Sequence, residues 1–425
     1  MRLLTGGLAA AAAMLALSFP EGALAEVQTL VFDAPPVTIG PYGVARGVQL
    51  APSPKVDGDV VAMKATLVDV LGNPVPHTDV MLHHVVFAKI GVPDATCARL
   101  TGYDGKPSPL QAQRFYAEGE EHFSLALPDG YGYPNRATDS WGLLYMLMNH
   151  HDRTSTVRVR YTVTYAVGES RTAVTPIWLD VRNCRADPVF NVPGTGGRGS
   201  TYVRHADWVA PESGVLVAGG AHLHGGGLSV DVSDASCGSL FTSYPLWGGI
   251  EPRPVMHEPG PIAMTGFADP TGRPVREGDT LRITASYDNS RPHVRVMGIA
   301  ILYLAPRPVA SCRTFASAVP EPTRPDPVTV ALLKRPAGPV RRVTSTWVGD
   351  YVFGAQRVSI RRGTTFTWRF VGSTQHDVTL ATGPVGFASP SLERGTYSFR
   401  FARPGTYRLF CSLHPSRMTQ IITVR

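Results

Sequence analysis

Long helical periodicity is missing from this sequence of 425 residues, and so is any basic block interleaved with aromatic residues. The first absence argues against a helical bundle. The second gives no support to nucleic-acid binding, although the net charge is +7, because scattered arginines are typical of a solvated basic surface. Neither a Gly-x-Ser-x-Gly elbow nor a His-Glu-x-x-His motif is present, so we do not expect a serine hydrolase or a hydrolytic zinc enzyme.

Long apolar runs are scarce too, and the N-terminus holds the one that stands out. A positively charged start precedes an apolar stretch from Leu3 to Phe19, and Ala23-Leu-Ala25 is typical of a cleavage site. The run is too short to predict a membrane span, and no second run of membrane length follows. We predict a signal peptide over residues 1–25, a mature chain from about Glu26, and a secreted or periplasmic protein without a membrane span.

Glycine and proline, by contrast, are abundant, at 43 and 37 residues. They separate many short runs that are rich in Val, Thr and Tyr. Three of these runs, 60–68, 156–164 and 280–287, largely alternate apolar with polar residues. Such alternation is typical of half-buried antiparallel sheet, so we predict an all-β protein made of jelly-roll or β-sandwich domains.

Two composition shifts divide the chain. A Pro-rich stretch over 305–343 is typical of an extended, semi-rigid spacer. An earlier Gly- and Pro-rich segment, 193–200, follows Cys184-Arg-Ala-Asp-Pro and suggests another boundary. We predict two β-sandwich domains over 26–185 and 186–304, the linker, and a third domain over 344–425.

The third domain carries four side chains that are typical of one metal site: His376, Cys411, His414 and Met418. His376 lies at a predicted strand end, and a predicted strand over 405–411 delivers Cys411 into the loop that holds the other two. One thiolate and two imidazoles in a plane, with a weak axial thioether, favour copper and electron transfer. The alternative is a buried free Cys411 beside unrelated neighbours, which would require four ligands to coincide in the right order.

On these residues the segment from about 344 to 425 resembles the cupredoxins, such as plastocyanin, amicyanin and pseudoazurin. The resemblance implies a small β-sandwich with a type 1 (blue) copper that transfers electrons. If Cys411 binds copper, four cysteines remain: Cys97, Cys184, Cys237 and Cys312. An exported protein is expected to pair them in two disulfides, and the sequence leaves all three pairings open.

Eleven of the 13 histidines lie upstream of this domain, and three groups stand out: His83-His84, His150-His151 and His222-Leu-His224. Alternate residues of a strand point to one face, so His222 and His224 can converge on one metal. Adjacent histidines need a bulge or a twist to do so. A buried imidazole without a partner costs about 1–3 kcal/mol, so two in a row after an apolar run predict metal binding.

The order of these groups, with a later Met297, resembles the copper type II, ascorbate-dependent monooxygenases, namely peptidylglycine α-hydroxylating monooxygenase and dopamine β-monooxygenase. The resemblance covers about residues 34–304. It implies two jelly-roll domains, each holding one copper, that face each other across an open cleft. His83, His84 and His150, with His151 in reserve, would hold the electron-transfer copper, and His222, His224 and Met297 the oxygen-binding copper.

An enzyme of this kind would act on a small molecule or a peptide with O2, and we expect the cupredoxin to supply electrons in place of a small reductant. The cysteine pattern of those enzymes is not reproduced. His293, four residues before Met297, and the His- and Gly-rich segments are also similar to the plant stress-up-regulated nodulin-like proteins. Two other functions stay open: a non-catalytic exported copper carrier or electron-transfer protein, and a binding module with copper in the cupredoxin alone.

Overall fold

The computed structural model describes residues 26–102, 106–108, 110–248, 258, 260–309, 311–315 and 334–425. Within these ranges the chain is all-β and contains no helix, which confirms the predicted fold class. In the same ranges there is accordingly no helix long and apolar enough to cross a membrane. The predicted signal peptide and much of the predicted linker lie outside the described residues.

The first sandwich consists of two sheets. Its strands are β1 (Glu26–Asp33), β2 (Val37–Ile39), β3 (Val44–Ala51), β4 (Gly58–Asp69), β5 (Val80–Ile90), β6 (Ala112–Gly119), β7 (Leu125–Ala126), β8 (Tyr131–Asn135), β9 (Trp141–Asn149), β10 (Ser155–Val167) and β11 (Thr172–Ala173). One sheet has the order β1-β10-β4-β8-β11, with β2 on β10 and β7 on β4, and the other has the order β3-β9-β5-β6. The alternating side chains of β10 explain the packing, because Val157, Val159, Tyr161 and Val163 are buried between the sheets.

The second sandwich begins earlier in the chain than the predicted boundary. Its strands are β12 (Thr175–Asp180), β13 (Phe190–Val192), β14 (Thr201–Val209), β15 (Gly214–Leu223), β16 (Gly227–Asp234), β17 (Gly238–Ser243), β18 (Pro245–Leu246), β19 (Ala263–Met264), β20 (Phe267–Val275), β21 (Thr280–Asp288), β22 (His293–Val296) and β23 (Gly298–Ala305). The main sheets are β12-β23-β15-β20 and β14-β21-β16-β17. Since β12 pairs along its length with β23, it belongs to this sandwich and not to the first.

The third sandwich has eight strands: β24 (Ser345–Gly349), β25 (Val352–Phe353), β26 (Arg357–Ile360), β27 (Thr365–His376), β28 (Thr379–Thr382), β29 (Leu392–Arg400), β30 (Gly405–Phe410) and β31 (Thr419–Val424). They form the sheets β25-β24-β27-β29 and β26-β31-β30-β28. Trp368, Phe366, Phe401 and Tyr407 fill the space between them.

Two disulfides are present, as predicted, and the structure settles which cysteines pair. Cys97 bonds to Cys184, and Cys237 bonds to Cys312. The second bridge ties the start of the predicted linker to the second sandwich. Cys411 is the free cysteine of the described residues, and it is buried.

The three sandwiches contact one another. The Tyr303 hydroxyl of β23 donates to the Phe115 carbonyl of β6 at 2.9 Å, which joins the first two. The third is attached to the second where the Gly386 amide donates to the Pro193 carbonyl at 3.0 Å. These junctions matter because the candidate ligands lie beside them.

Candidate metal centres

The site in the third sandwich lies at one end of the space between its two sheets. His376 is the last residue of β27, in one sheet, and Cys411 directly follows β30, in the other. The loop after Cys411 turns back through two hydrogen bonds, from the Met418 amide to the His414 carbonyl (3.1 Å) and from the Cys411 amide to the Met418 carbonyl (3.0 Å). The strand ends and this loop therefore bring all four predicted ligands into one region.

Three donor atoms meet there. The Cys411 Sγ lies 3.9 Å from the His376 Nδ1 and 3.6 Å from the His414 Nδ1, and the two Nδ1 atoms lie 3.1 Å apart. Donors held at about 2.0–2.3 Å around one metal are separated by similar distances. Met418, 1% exposed, shares the core cluster of Cys411. The donor set of one sulfur and two imidazoles, with a buried thioether beside it, fits copper.

Asp350 fixes the orientation of His376. Its carboxylate lies 3.2 Å from the His376 Nε2 and accepts hydrogen bonds from the Ser373 amide (2.9 Å) and the Thr374 amide (3.1 Å). The hydrogen bonds from Ser373 and from His376 hold the pKa of Asp350 well below its usual range. A proton kept on Nε2 leaves Nδ1 as the donor that faces Cys411.

Burial sets the protonation of the other two donors. It lowers the pKa of His414 to about 4, with His376 adding to the effect, so the imidazole is neutral near pH 7 and can act as a ligand. It raises the pKa of the Cys411 thiol, so a bound cation must displace that proton. The Asp377 amide donates to the Cys411 sulfur at 3.4 Å and would support the thiolate.

The first upstream pair lies on β5 at a break in the pairing register. The register with β9 shifts between Leu82 and His84, which supplies the bulge that adjacent ligands require. His83 and His84 are both buried, and their Nδ1 atoms lie 3.0 Å apart. Burial lowers the pKa of His84 to about 4, which keeps it neutral and available to a metal.

The second group is assembled by the pairing of β15 with β23. Leu223 is paired with Gly298, so the residues that follow and precede them, His224 and Met297, are neighbours across the two strands. Tyr287 connects them, since its hydroxyl accepts from the His224 amide (2.9 Å) and donates to the Met297 carbonyl (2.5 Å). The rings of His222 and His224 lie 4.9 Å apart.

The two histidine groups meet. The ring of His83 lies 5.1 Å from the ring of His224, edge to face, and the four rings form one continuous cluster in the order His84, His83, His224, His222. This arrangement differs from the separate sites across an open cleft that the monooxygenase resemblance implies. Among the described residues, three donors that all lie within 4.8 Å of one another occur at His376, Cys411 and His414.

His150 and His151 are placed elsewhere. They follow the end of β9, where the His150 amide donates to the Asp79 carbonyl (2.9 Å) and the His151 Nε2 lies 3.0 Å from the Asp79 carboxylate. Asp79 precedes His83 by four residues, about 13 Å along a strand. The structure therefore does not bring His150 to the His83–His84 pair.

Sequence reasoning missed the acidic residues beside this cluster. The His222 Nδ1 lies 2.8 Å from the Glu121 carboxylate, and the His83 Nε2 lies 3.8 Å from Glu120. Burial alone would lower the pKa of His222, but Glu121 raises it above its ordinary value. The signal was present as the run Glu118-Gly-Glu-Glu121 at a predicted sheet edge, since a ligand histidine commonly donates its other N–H to a carboxylate.

A cavity of about 310 Å³, here called the junction cavity, lies where the three sandwiches meet. His83 and His224 line it from the upstream side, and Ser412 and Leu413 of the ligand loop line it from the third sandwich. Arg295 also lines it and pairs with Asp187 at 3.0 Å and with Asp377 at 3.6 Å.

Comparisons with known proteins add one family and several structures. The sequence model of the family described as Stress up-regulated Nod 19 matches residues 149–307, a region that contains the His222–His224 motif and Met297. This match supports the predicted similarity to the nodulin-like proteins over that region. No curated protein matches this chain.

Solved structures match the third sandwich. A purple cupredoxin from Nitrosopumilus maritimus shares 26% identity, with 20% of this chain and 100% of that chain covered and a TM-score of 0.18. An oxidised amicyanin mutant shares 21% identity, with coverages of 19% and 80% and a TM-score of 0.18. A copper(I) form of another amicyanin mutant shares 22%, with coverages of 20% and 84% and a TM-score of 0.19. Because these scores are low, the metal assignment rests on the ligand geometry.

Proposed function

We propose that this protein is an exported copper oxidoreductase in which the cupredoxin domain supplies electrons to a second copper centre built by His83, His84, His222 and His224. The observation that carries the proposal is the junction cavity, because the ligand loop of the third sandwich and two of these histidines line the same small space. Covalent fusion keeps the two centres at high effective concentration.

The upstream cluster fits copper on its own chemistry. Imidazole is a ligand that copper accepts readily, and a nearby thioether such as Met297 favours the reduced ion. The Nε2 of His222 is buried and has no hydrogen-bond partner among the described residues, while Glu121 holds its Nδ1. Bound copper would supply one-electron redox chemistry, and the carboxylates would orient the imidazoles that hold it.

A polar path connects the two centres. The Asp377 amide contacts the Cys411 sulfur, its carboxylate pairs with Arg295, and Arg295 pairs with Asp187. The negative charge of Asp187 acts on His84 and partly offsets the effect of burial on its pKa. We assign this path the role of holding the ligand loop against the upstream sandwiches.

The finer proposal is oxygen-dependent hydroxylation at His222, His224 and Met297. Its support is the register that makes His224 and Met297 neighbours. The position of His150 beside Asp79 leaves the other predicted ligand trio incomplete, so the proposed centre takes His83 and His84 into the same cluster. A non-catalytic copper protein would have the same electron transfer without O2 consumption coupled to a substrate.

Electron transfer can be tested by pulse radiolysis of the copper-loaded full-length protein, with the visible band of the blue site as the signal. An electron placed on the cupredoxin should leave it in a first-order step that is independent of protein concentration. His83→Ala should slow this step at least tenfold, whereas His205→Ala, an exposed histidine on β14, should not change it. An unchanged rate in His83→Ala would contradict the proposal.

A further inference from the structure

A second cavity, here called the apolar cavity, lies between the sheets of the first two sandwiches and has a volume of about 490 Å³. Its floor is the outer face of β5: Val86, Ala88 and Ile90 line it, while the alternate residues Val85 and Phe87 enter the core of the first sandwich. Its volume is in the range of small-molecule sites, about 300–1,000 Å³.

The opposite wall comes from the second sandwich. Trp178 of β12 and Ile299 and Ile301 of β23 line it. At the rim, Leu50 and Leu110 are 66% and 65% exposed. Large apolar side chains left in water at an opening favour an apolar occupant, because its binding would remove that surface from solvent.

Polar groups gather at one end of the cavity. His84 and His222 line it there together with Glu118, Glu121 and Met297. His222 and His84 belong to the proposed copper centre, so this end of the cavity reaches that centre from the side opposite the junction cavity.

Glu118 offers a hydrogen-bond donor at this end. Its Oε2 accepts from the Tyr116 hydroxyl and from the Ala65 amide (3.2 Å). Its Oε1 has no hydrogen-bond partner in the described part of the chain, and the nearest imidazole nitrogen, of His122, is 3.9 Å away. Burial raises the pKa of Glu118 to about 8. Since Oε2 already accepts two hydrogen bonds, the retained proton belongs on Oε1.

The cations on the cavity wall do not provide an anion site. The Arg114 guanidinium is paired with Asp94 through two hydrogen bonds, of 2.8 and 3.1 Å, and stacks on Trp178. Arg185 is exposed at the rim. A carboxylate at the inner end would therefore face Glu118 and Glu121 without a free positive charge.

We propose that the apolar cavity binds an uncharged, apolar molecule that carries one hydroxyl group, with the hydroxyl between Glu118 and His222. A hydroxyl can accept from a protonated carboxyl and donate to an imidazole nitrogen at the same time. The inference names the substrate class of the proposed copper centre and rests on that proposed function only for the chemistry at this end.

The test is calorimetric titration of the oxidised full-length protein with 1-naphthol and, separately, with 1-naphthoate. We expect naphthol to bind at least tenfold more tightly than naphthoate. Equal affinities would overturn the proposal, because they would mean that no uncharged hydroxyl is selected.

Location is tested with Ala88→Phe, which fills the floor of the cavity without changing a candidate ligand. Naphthol binding should weaken at least tenfold in this variant, while Val203→Phe, on the exposed face of β14, should bind as the unmodified protein does. An unchanged affinity in a copper-loaded Ala88→Phe protein would place the ligand elsewhere. No electron transfer is involved, so naphthol binding without transfer counts against the proposed function alone, and transfer without binding counts against the cavity alone.

Discussion

At the scale of single residues, carboxylates outside the ligand sets decide what the ligands can do. Asp350 holds His376 in the third sandwich, and Glu121 holds His222 between the first two. In each case one ring nitrogen faces a carboxylate, which leaves the other nitrogen for a metal. The two centres thus use the same device on unrelated strands.

Asp350→Asn should weaken copper binding in the cupredoxin by about 10–100-fold, the usual effect of losing such a partner. The amide no longer fixes the proton on the His376 Nε2. Competition with a copper chelator, followed by the intensity of the visible band, measures the affinity. Asp152→Asn, at an exposed aspartate, is the matched control, and equal affinities in the two variants would contradict the assigned role.

Glu118→Gln should stabilise the protein at alkaline pH. Burial raises the pKa of Glu118 from 4.5 to about 8, so the folded state keeps a proton that the unfolded state has released. The wild-type free energy of unfolding therefore falls as pH rises from about 4.5 to about 8 and then levels off. Calorimetric melting of both proteins from pH 4 to 9 should show the variant's advantage growing over that window, whereas Glu212→Gln, at an exposed position, shows none.

At the scale of elements, turns and register shifts place the ligands. The bulge between Leu82 and His84 and the turn between β15 and β16 both act in this way. Gly226, in that turn, has a φ of +81°, and a Cβ there would lie 2.0 Å from the His293 ring. The His293 ring, only 1% exposed, therefore occupies space that an alanine at this position would need.

Gly226→Ala should destabilise the protein more than Gly238→Ala does. Both glycines have positive φ, at +81° and +73°, but a Cβ at Gly238 meets nothing within 4 Å. The backbone cost, about 1–2 kcal/mol for a left-handed residue, is thus common to the two, and the clash with His293 is added at Gly226. Urea unfolding of both variants measures the difference, and equal losses would show that the contact is not rigid.

Local patterns were enough to predict the strands and one complete site. The alternating runs 60–68, 156–164 and 280–287 lie within β4, β10 and β21. The donors of His376, Cys411 and His414 also converge, because adjacent strand ends and a short loop connect them. The meeting of His83 with His224 could not be predicted, since it depends on how two sandwiches pack, and no period in the sequence records that packing.

At the scale of the whole molecule, Arg295 links the centres. It belongs to the second sandwich, is 16% exposed in its side chain, and pairs with Asp187 and with Asp377 of the third sandwich. An uncompensated carboxylate at Asp377 would loosen the ligand loop from the junction cavity. The orientation of the cupredoxin thus depends on a charge that neither copper site contains.

Arg295→Met should slow electron transfer out of the blue site at least tenfold while the visible band persists, because the variant removes the docking pairs and keeps the copper ligands. Arg282→Met, which breaks the exposed pair with Asp207, is the control and should transfer electrons as the unmodified protein does. An Arg295→Met protein with an unchanged rate would remove the docking role.

Copper content tests the central claim, that histidines of both upstream sandwiches build one centre. A shared centre predicts two copper ions per chain, one of them in the cupredoxin. His83→Ala, His224→Ala and the double variant should then each retain one copper and a full visible band. Separate centres would give three copper ions per chain, two in each single variant and one in the double variant, and that result would contradict the account.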